Sequence, residues 1–486
     1  MVNLADLVSR SAETSPDKAA LVTAARTLTW AELDDAVDRL GAGLRAEGLR
    51  PGDRVGLLLP NSVEFVVAYF AVLRAGLVAM PLNVSYTEAE VEHQITDSGA
   101  RLVVTDTQLA GVAAAAPVLV VGSPDWDRLT SHAPYDEAPG AADEDLAVLL
   151  YTSGTTGRPK GAMLSHRALL ANLDQLGRID PPVVAPDDVV LLVLPLFHVY
   201  GLNAGLGMVA ATGATGVLSE RFDPVETLAL VRDRGVTNII GAPPMYVAWS
   251  MLPELRSSLS SVRLVVSGAA PLSAEVMSSI VELTGHQVYE GYGLTETAPV
   301  LTTTLCSATP KPGSIGRAIP GVELRLTDDS GDEVEDDDPG EIVARGPNVF
   351  SGYWPDGAGG PDTNGWFHTG DVAYADPDGD LFLVDRIREL ILVSGFNVYP
   401  REVEDVIATH PDVAEAAVIG VPHPYTGETV RALVVPRPGR QIDPAAVIEH
   451  AASRLARFKC PTSVEIVDQL PHSATGKVAK GKLRSA

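Results

Sequence analysis

The stretch that decides the fold reads Leu146-Ala-Val-Leu-Leu-Tyr-Thr-Ser-Gly-Thr-Thr-Gly-Arg-Pro-Lys-Gly161, an apolar run that leads directly into a polar loop. Gly154 and Gly157 can adopt positive φ and leave their backbone N–H groups uncovered, and Lys160 adds a mobile cation. Hydroxyls alternate with these glycines at Thr152, Ser153, Thr155 and Thr156. The loop is not a Walker A loop, because the G-x-x-x-x-G-K-[ST] spacing is absent. Its composition nevertheless predicts a loop that wraps a polyphosphate at the end of a buried strand.

Outward from this stretch, strand-like apolar runs alternate with helix-like segments from Ala19 to about Val300. A capping box at Thr29-Trp-Ala-Glu32 predicts a helix that continues through Arg45, with one apolar face at Leu33, Val37, Leu40 and Leu44. A further helix is expected at 62–75, and buried strands are expected at 55–59, 102–105, 189–194, 238–241 and 264–267. Such alternation predicts parallel sheets covered by helices.

The pattern of apolar and turn-forming residues changes twice, near residue 313 and again after Asp385. Short strands between Gly, Pro and Asp turns predict a small β-rich subdomain up to Asp385, with strands at 322–327, 341–344 and 381–384. The remaining residues follow an α+β pattern, with helices at 400–409 and 444–455 and strands at 413–421 and 429–435. We therefore expect a large domain over residues 1–385, a small domain over 386–486 and a hinge near 385–388.

Composition limits the classes of partner. The 486 residues exceed what one hydrophobic core usually serves, so at least two domains are expected. With 63 acidic against 36 basic side chains the formal net charge is −27, which argues against nucleic acid or an anionic membrane as the main partner. Local backbone N–H groups and a few cations can still hold phosphates.

Cysteine content and apolar runs bear on the compartment. Cys306 and Cys460 are too few for a disulfide framework or a Cys-rich metal site, and neither lies in a nucleophile motif. The N-terminal residues mix charges early and lack the long apolar core of a secretory signal. No apolar run, including the one at 189–197, approaches the ~20 residues of a transmembrane helix. We expect a soluble, cytoplasmic protein without an integral membrane segment.

Four further motifs follow the polar loop in a characteristic order. They read Ser267-Gly-Ala-Ala-Pro271, Tyr289-Glu-Gly-Tyr-Gly-Leu-Thr-Glu296, Trp366-Phe-His-Thr-Gly-Asp371 with Asp385-Arg386, and Pro471-His-Ser-Ala-Thr-Gly-Lys477. With the loop, they resemble the acyl-adenylate-forming superfamily over essentially the whole chain, and most closely its fatty-acid-type acyl-CoA ligases. The resemblance implies an α/β fold with a large N-terminal domain of two doubly wound α/β subdomains and a small β-barrel-like subdomain. A small, mobile α+β C-terminal domain would follow.

The resemblance also implies roles around a nucleotide. Tyr292 would flank the adenine, Thr295 would bind the α-phosphate as a catalytic group, and Glu296 would hold Mg²⁺. Asp371 would accept hydrogen bonds from the ribose hydroxyls, and Arg386 would support the same sugar. The other residues expected to bind ATP are Thr152, Ser153, Gly154, Thr155, Thr156, Gly157, Lys160, Gly268, Ala269, Ala270, Glu290 and Gly291.

Three residues of the expected C-terminal domain receive roles in the same way. Lys477 would be the catalytic cation of adenylation, and Arg388 would be the hinge residue. Gly395 would line the channel for an incoming pantetheine, although a simple turn glycine with positive φ is the alternative. Leu392 stands where 4-coumarate-type ligases carry lysine, which favours the fatty-acid-type branch.

The acyl pocket is expected around Leu194-Pro-Leu-Phe-His-Val199 and the small residues that follow it. By resemblance His198 would stand at the pocket entrance, and a purely structural histidine is the alternative. Small residues assigned to the pocket are Gly201, Gly205 and Gly293. This stretch lacks the aspartate that pairs with amino-acid substrates, and Gly291 stands where members that take dicarboxylates tend to carry arginine. A largely apolar monocarboxylic acid fits best.

The sequence thus predicts an ATP-dependent acid–thiol ligase. It would activate an apolar, fatty-type acid as acyl-AMP and transfer the acyl group to coenzyme A, with ATP, Mg²⁺ and coenzyme A as cofactors and co-substrates. One alternative is a ligase that loads an acyl carrier protein, although the modest length suggests that the inserted segment common in such ligases is absent. The other is a non-catalytic nucleotide-binding regulator, which the intact loop, Glu296 and Lys477 disfavour.

Overall fold

The computed structural model describes residues 3–135, 139–152, 159–328, 330–334, 338–386, 389, 391–393, 396–423, 427–472 and 478–483. The chain divides into two compact units. The first unit contains Met1–Glu323 and Ala344–Phe367, and the second contains Leu324–Val343 and His368–Ala486. The domain boundary expected at 385–388 stays a prediction.

Helices of 4 to 17 residues lie around the sheets of the first unit. They are α1 (Asp6–Thr14), α2 (Trp30–Ala46), α3 (Val63–Arg74), α4 (Glu88–Ser98), α5 (Pro124–Thr130), α6 (His166–Gly177), α7 (Met208–Thr212), α8 (Pro224–Asp233), α9 (Pro243–Ser250), α10 (Leu255–Ser258) and α11 (Ala274–Thr284). A π-helix at Tyr200–Gly207 leads directly into α7. Short 3-10 turns lie at Ala110–Ala113, Thr295–Thr297 and Thr304–Cys306.

Two mainly parallel sheets form the centre of the first unit. Their strands are β1 (Ala19–Val22), β2 (Thr27–Thr29), β3 (Arg54–Leu58), β4 (Val78–Pro81), β5 (Leu102–Thr105), β6 (Val118–Val120), β7 (Leu146–Thr152), β8 (Lys160–Ser165), β9 (Val189–Leu192), β10 (Thr215–Leu218), β11 (Asn238–Gly241), β12 (Leu264–Ser267), β13 (Val288–Gly293), β14 (Val300–Thr303) and β15 (Ser314–Ala318). One sheet has the order β6-β5-β3-β4-β7-β8 and is parallel except for β8. Within this unit the other has the order β15-β14-β13-β12-β11-β9-β10-β1-β2 and is parallel from β13 to β1. The predicted α/β class is confirmed.

Buried side chains of the helices close onto both sheets. Val91 and Ile95 of α4 pack with Met80 and Val103 of the first sheet. Fully burying one aliphatic side chain of this size stabilises the fold by about 1.5–3 kcal/mol. On the second sheet the corresponding cluster joins strands β9 to β13 to α8, α9 and α11, with Trp249 fully buried at its centre.

The second unit is built on two sheets. It holds most of β16 (Glu323–Thr327), β17 (Gly340–Arg345) and β18 (Phe367–Ala375), followed by β19 (Leu381–Arg386), β20 (Ile391–Val393), β21 (Phe396–Val398), β22 (Val413–His423), β23 (Gly427–Pro436) and β24 (Ser463–Ile466). Strands β16 to β19 are neighbours in sequence order, and the last five strands form a second sheet in the order β21-β20-β23-β22 with β24 beside β23. Its helices are α12 (Pro400–Ala408), α13 (Pro444–Ala452) and α14 (Lys480–Leu483), with a 3-10 turn at Arg457–Lys459. This alternation matches the expected β-rich and α+β segments.

Local sequence signals account for most of these bounds. The predicted capping box is present at α2, where the Thr29 hydroxyl accepts from the Glu32 N–H and the Glu32 carboxylate accepts from the Thr29 N–H. The predicted apolar face of α2 is buried at Leu33, Val37, Leu40 and Leu44. Among the described residues no helix has the length and apolar character needed to span a membrane.

Candidate active site

The polar loop connects two antiparallel strands of the first sheet. β7 ends at Thr152, β8 begins at Lys160, and these two residues face each other in the register. Ser153, Gly154, Thr155, Thr156 and Gly157 lie outside the described residues. The Lys160 ammonium lies 5.2 Å from the centroid of the Tyr353 ring, so a cation stands at the base of the loop.

Glu296 lies in the 3-10 turn Thr295–Thr297 that follows β13. Its side chain is buried, and its Oε1 accepts a hydrogen bond of 2.7 Å from the Tyr353 hydroxyl. None of the described residues hydrogen-bonds Oε2. A buried carboxylate with one oxygen fixed and the other available suits a hard divalent cation, so the donor set fits the predicted Mg²⁺.

The turn after β12 contains three predicted nucleotide-binding residues, and one of them has a strained backbone. Ala269, between Gly268 and Ala270, has φ +69°, a left-handed conformation that residues with a Cβ rarely adopt. The Glu290 carboxylate accepts the Leu272 N–H at 3.0 Å, which ties the end of this turn to β13. Strain of this kind concentrates at functional sites, because the surrounding structure must hold it in place.

β13 carries four predicted site residues against β14. In the register Gly291 faces Thr303, and Tyr292 faces Thr302. A Cβ at Gly291 would meet only the Thr302 carbonyl oxygen at 3.6 Å, an ordinary contact. A Cβ at Gly293 would stand 1.8 Å from the Pro299 carbonyl oxygen, so packing against the backbone requires glycine there.

Two of the predicted pocket residues, Gly201 and Gly205, lie in the π-helix. A narrow cavity of about 10 Å³ is lined by Leu191, Leu192, Leu194, Gly201, Gly205 and Ile240. A Cβ at Gly201 would approach the Pro195 carbonyl oxygen to 2.6 Å, whereas one at Gly205 would meet only Leu192 Cδ2 at 3.4 Å and the Tyr200 carbonyl oxygen at 3.8 Å. Gly201 is therefore required by backbone packing, and Gly205 leaves space at the cavity wall.

Two hydroxyls near this cavity are buried without a partner. The Tyr200 hydroxyl and the Ser267 hydroxyl make no hydrogen bond to any described residue. Burial raises the pKa of Tyr200, which keeps its hydroxyl protonated and able to donate. The Tyr200 ring lies against Gly268, where a Cβ would approach the ring to 2.8 Å. His198 precedes this ring, and its Nδ1 accepts the Tyr200 N–H at 3.2 Å.

The second unit places two predicted ribose-binding residues opposite each other. Asp371 of β18 faces Arg386 of β19 in the antiparallel register, and its side chain is buried. Its backbone N–H donates to the Thr369 hydroxyl at 3.1 Å. Arg388, Gly395 and Lys477 lie outside the described residues, and their roles remain predictions.

Residues on either side of the Lys477 motif are fixed within the second unit. His472 and Val478 form an antiparallel bridge, and His472 Nε2 lies 2.6 Å from the Glu415 carboxylate. Beyond the motif, the Lys480 ammonium pairs with Glu389 at 2.9 Å and Glu404 at 2.8 Å. The described flanks of this motif are therefore anchored to the small sheet and to α12.

Neither cysteine is arranged as a nucleophile. Burial raises the pKa of the thiol at both Cys306 and Cys460. The thiolate is the reactive form, so the two residues are disfavoured as catalytic groups, as their sequence context predicts.

Tyr353 and Tyr200 were not identified from the sequence as site residues. Tyr353 touches two predicted site residues, Lys160 and Glu296, although it lies 57 positions from Glu296. Its position in Ser351-Gly-Tyr-Trp-Pro355, a turn-forming segment with two aromatic residues, is the only local signal. Tyr200 follows the predicted pocket residue His198 by two positions, and its unpartnered hydroxyl emerges only from the packing.

A parallel α/β fold, a loop sequence rich in Ser, Thr and Gly between β7 and β8, and a buried carboxylate that Tyr353 connects to Lys160 together indicate a nucleotide-binding enzyme. The family model of AMP-binding enzymes matches residues 8–354, and the model of the AMP-binding enzyme C-terminal domain matches residues 402–477. The chain belongs to the AMP-binding enzyme family, which confirms the resemblance found in the sequence.

Relatives narrow the class further. A feruloyl-CoA synthase of Amycolatopsis sp is 40% identical over 98% of this chain and 97% of its own length. A long-chain-fatty-acid–CoA ligase of Bacillus subtilis (strain 168) is 33% identical over 99% of this chain and 94% of its own length. The crystal structure of ATP-bound MatB from Rhodopseudomonas palustris superposes with a TM-score of 0.93 at 38% identity, covering 99% of this chain and 98% of that one. The chain is accordingly an AMP-forming acyl-CoA synthetase that uses ATP and coenzyme A. The alternative of a non-catalytic nucleotide-binding regulator is rejected.

Proposed function

We propose that the enzyme activates a largely apolar monocarboxylic acid, of fatty type, as its acyl-AMP and transfers the acyl group to coenzyme A. The observation that carries this proposal is the composition of the cavity wall at the π-helix. Its lining is aliphatic or glycine throughout: Leu191, Leu192, Leu194, Gly201, Gly205 and Ile240. Such a wall offers burial to hydrocarbon and no partner to a charged group.

Gly291 supports a single carboxylate on the substrate. The space beside it admits a larger side chain, since a Cβ there would make only one ordinary contact. Packing therefore does not impose this glycine, and the position carries no cation that could pair with a second carboxylate. A dicarboxylic acid would have to bury that charge without a partner, which is costly.

In the first half-reaction a carboxylate oxygen attacks the α-phosphorus of ATP, and pyrophosphate leaves. No general base is needed, because the acid is ionised at neutral pH. The residues instead position the reactants and stabilise charge. Glu296 would hold Mg²⁺, which neutralises phosphate charge when bound, while Thr295 and Lys477 would stabilise the α-phosphate. Lys160 and the loop would hold the leaving group.

In the second half-reaction the coenzyme A sulfur attacks the acyl carbon and displaces AMP. We assign Arg388 to the hinge about which the small domain would turn, and Gly395 to the pantetheine channel. A small domain that presents different faces in the two steps would leave Lys477 with a role in adenylation alone. The CoA-ligase names of the relatives support coenzyme A over an acyl carrier protein as the acceptor.

A hydroxylated or methoxylated aryl acid is the second candidate substrate, and one specific observation favours it. The buried Tyr200 hydroxyl has no partner among the described residues and stays protonated, so it can donate to an oxygen substituent. A hydroxyl left unsatisfied in this way costs about 1–3 kcal/mol, and a polar substituent on the substrate would recover part of that cost.

A panel of acids decides between the two candidates. Saturated fatty acids of increasing length and benzoic or cinnamic acids with and without ring hydroxyls are assayed for AMP release, with coenzyme A, with a holo acyl carrier protein, or with neither. Higher kcat/KM for unsubstituted acids supports the fatty-type proposal. A preference for hydroxylated aryl acids that Tyr200→Phe abolishes supports the second candidate. AMP release that depends on the carrier protein but not on coenzyme A would refute coenzyme A as the acceptor, whichever acid is the substrate.

A further inference from the structure

The Tyr353 hydroxyl makes a hydrogen bond to Glu296, the predicted metal ligand. The O–H donates to Glu296 Oε1 at 2.7 Å, and the Glu296 side chain is only 8% exposed. A hydrogen bond to a carboxylate is charge-assisted and about twice as strong as one between neutral groups. One rotamer of Glu296 is therefore favoured over the others, and Oε1 is occupied by protein.

The backbone around Tyr353 is held independently of this hydroxyl. Met163 N–H donates to the Gly352 carbonyl at 3.0 Å, and Trp354 N–H donates to the Gly161 carbonyl at 2.8 Å. On its other side, Phe350 N–H donates to the Glu296 carbonyl at 2.9 Å. The segment thus joins β8, which follows the polar loop, to the turn that carries Glu296. Loss of the Tyr353 hydroxyl would leave all three backbone bonds in place.

The Tyr353 ring also faces the cation of the loop. Lys160 Nζ lies 5.2 Å from the ring centroid, within the range of a cation–π interaction. A cation above the ring withdraws electron density from it and makes the phenolic O–H a stronger donor. Lys160 and Glu296, which lie in separate motifs of the sequence, are connected in space through this one side chain.

We propose that Tyr353 is a positioning residue that holds Glu296 Oε1 and presents Oε2 to the divalent cation of the ATP complex. The proposal rests on the proposed function only in assigning the cation to Glu296. It requires that the hydroxyl, and not the ring, sets metal affinity. Groups that hydrogen-bond a metal ligand typically change metal affinity or activity by roughly 10–100-fold when removed, and this is the size of effect expected here.

The test compares the full-length enzyme with Tyr353→Phe, which keeps the ring, its contact with Lys160 and the three backbone bonds. Free Mn²⁺ is measured by electron paramagnetic resonance in the presence of ATP and without acid, so that no reaction occurs. In parallel, the Mg²⁺ concentration for half-maximal ATP–pyrophosphate exchange is measured with acid. Tyr86→Phe is the matched control, since it removes the hydroxyl of another half-buried tyrosine, one that packs against the hydrophobic cluster containing Val91 and Ile95 of α4.

For Tyr353→Phe we expect roughly 10-fold weaker Mn²⁺ binding and a matching rise in the Mg²⁺ requirement, with the KM for the acid and the melting temperature unchanged. Tyr86→Phe should match wild type in both assays. Unchanged Mn²⁺ binding in Tyr353→Phe, whether or not turnover or stability falls, would overturn the positioning role. Absence of acid-dependent exchange in the wild-type enzyme would instead refute the proposed function, so the two failures are distinct.

Discussion

Alanine substitutions at Gly205 and Gly201 test whether each glycine leaves room for the substrate or is required by close contacts with the backbone. A Cβ at Gly205 would make ordinary contacts at 3.4 Å with Leu192 Cδ2 and 3.8 Å with the Tyr200 carbonyl oxygen. Gly205→Ala should therefore fold normally, and within a helical segment alanine is favoured over glycine by about 1 kcal/mol. The added methyl would project into the cavity of about 10 Å³, at the wall that we propose the acyl group contacts.

The expected result for Gly205→Ala follows from the size of one methyl group. A pocket that loses one methylene of space discriminates by about 1–3 kcal/mol, or roughly 10–200-fold in kcat/KM. This loss should fall on the longest or widest acids that the wild-type enzyme accepts, and small acids should keep their kcat/KM. The melting temperature should stay the same or rise.

Gly201→Ala should show the opposite pattern. Its Cβ would stand 2.6 Å from the Pro195 carbonyl oxygen and 3.0 Å from the Leu194 carbonyl oxygen. Overpacking of this kind costs about 1–3 kcal/mol, so the melting temperature should fall, while kcat/KM should change alike for small and large acids. Gly177→Ala is the control, because a Cβ there would contact nothing within 4 Å.

The assay measures kcat/KM over a homologous series of acids together with thermal unfolding of each variant. If Gly205→Ala lowers kcat/KM equally for the smallest and largest acids, the cavity is not where the acyl group lies. A fall in melting temperature greater than that of Gly201→Ala would show that the contact distances at Gly205 have been misjudged. Either result would refute the reasoning.

Four further predictions concern the two half-reactions and acid stability. Lys477→Ala should slow pyrophosphate exchange by roughly 10²–10³-fold, as expected for one lost charge-stabilising donor, while thioester formation from supplied acyl-AMP survives; near-normal exchange would remove Lys477 from the mechanism. Asp371→Ala should raise the KM for ATP about tenfold, the size of one hydrogen bond to a charged group, with little change in kcat; a large fall in turnover at saturating ATP would contradict a ribose contact. Gly395→Leu should exchange pyrophosphate normally but fail to form the thioester, whereas equal loss of both steps with a lower melting temperature would indicate a turn glycine. Burial lowers the pKa of His166 from 6.5 to about 4. The unfolded chain therefore binds a proton at this histidine at a higher pH than the folded chain, and the free energy of unfolding should fall as the pH drops from 6.5 to 4. In His166→Asn the melting temperature should depend less on pH over that window, and an unchanged slope would exclude this histidine as the cause.

The parallel sheets could be predicted because each strand is recognisable from its own residues. Strands at 102–105, 238–241 and 264–267 are short apolar runs between turn residues, and the structure has them with the expected bounds. The starts of helices α2 and α3 can be recognised from Thr29 and Ser62, whose hydroxyls cap backbone N–H groups. Such signals act over four residues or fewer, within reach of sequence analysis.

The remaining features depend on contacts between distant residues. The sequence does not distinguish the glycines at 201 and 205. In the structure Gly201 has no space for a Cβ because of the Pro195 carbonyl oxygen, whereas Gly205 lies at the wall of a cavity. Gly293, which the sequence assigns to the pocket, lies so close to the Pro299 carbonyl oxygen that a Cβ would have no space there, and no local sequence signal indicates this contact. The π-helix at Tyr200–Gly207 has no helical capping residue, and its glycines predict a loop when taken alone. These features are decided by tertiary packing.

The left-handed backbone at Ala269 has a consequence for engineering heat tolerance. A φ of +69° costs a residue with a Cβ about 1–2 kcal/mol and costs glycine almost nothing. Libraries for heat tolerance commonly replace glycine by alanine, because this narrows the unfolded ensemble, but at this position the native-state strain points the other way. A selection for survival at high temperature alone would favour Ala269→Gly and a looser turn after β12. If this turn binds the nucleotide, as the sequence predicts, a selection that also demands turnover would keep the alanine, and heat tolerance would have to be gained elsewhere in the chain.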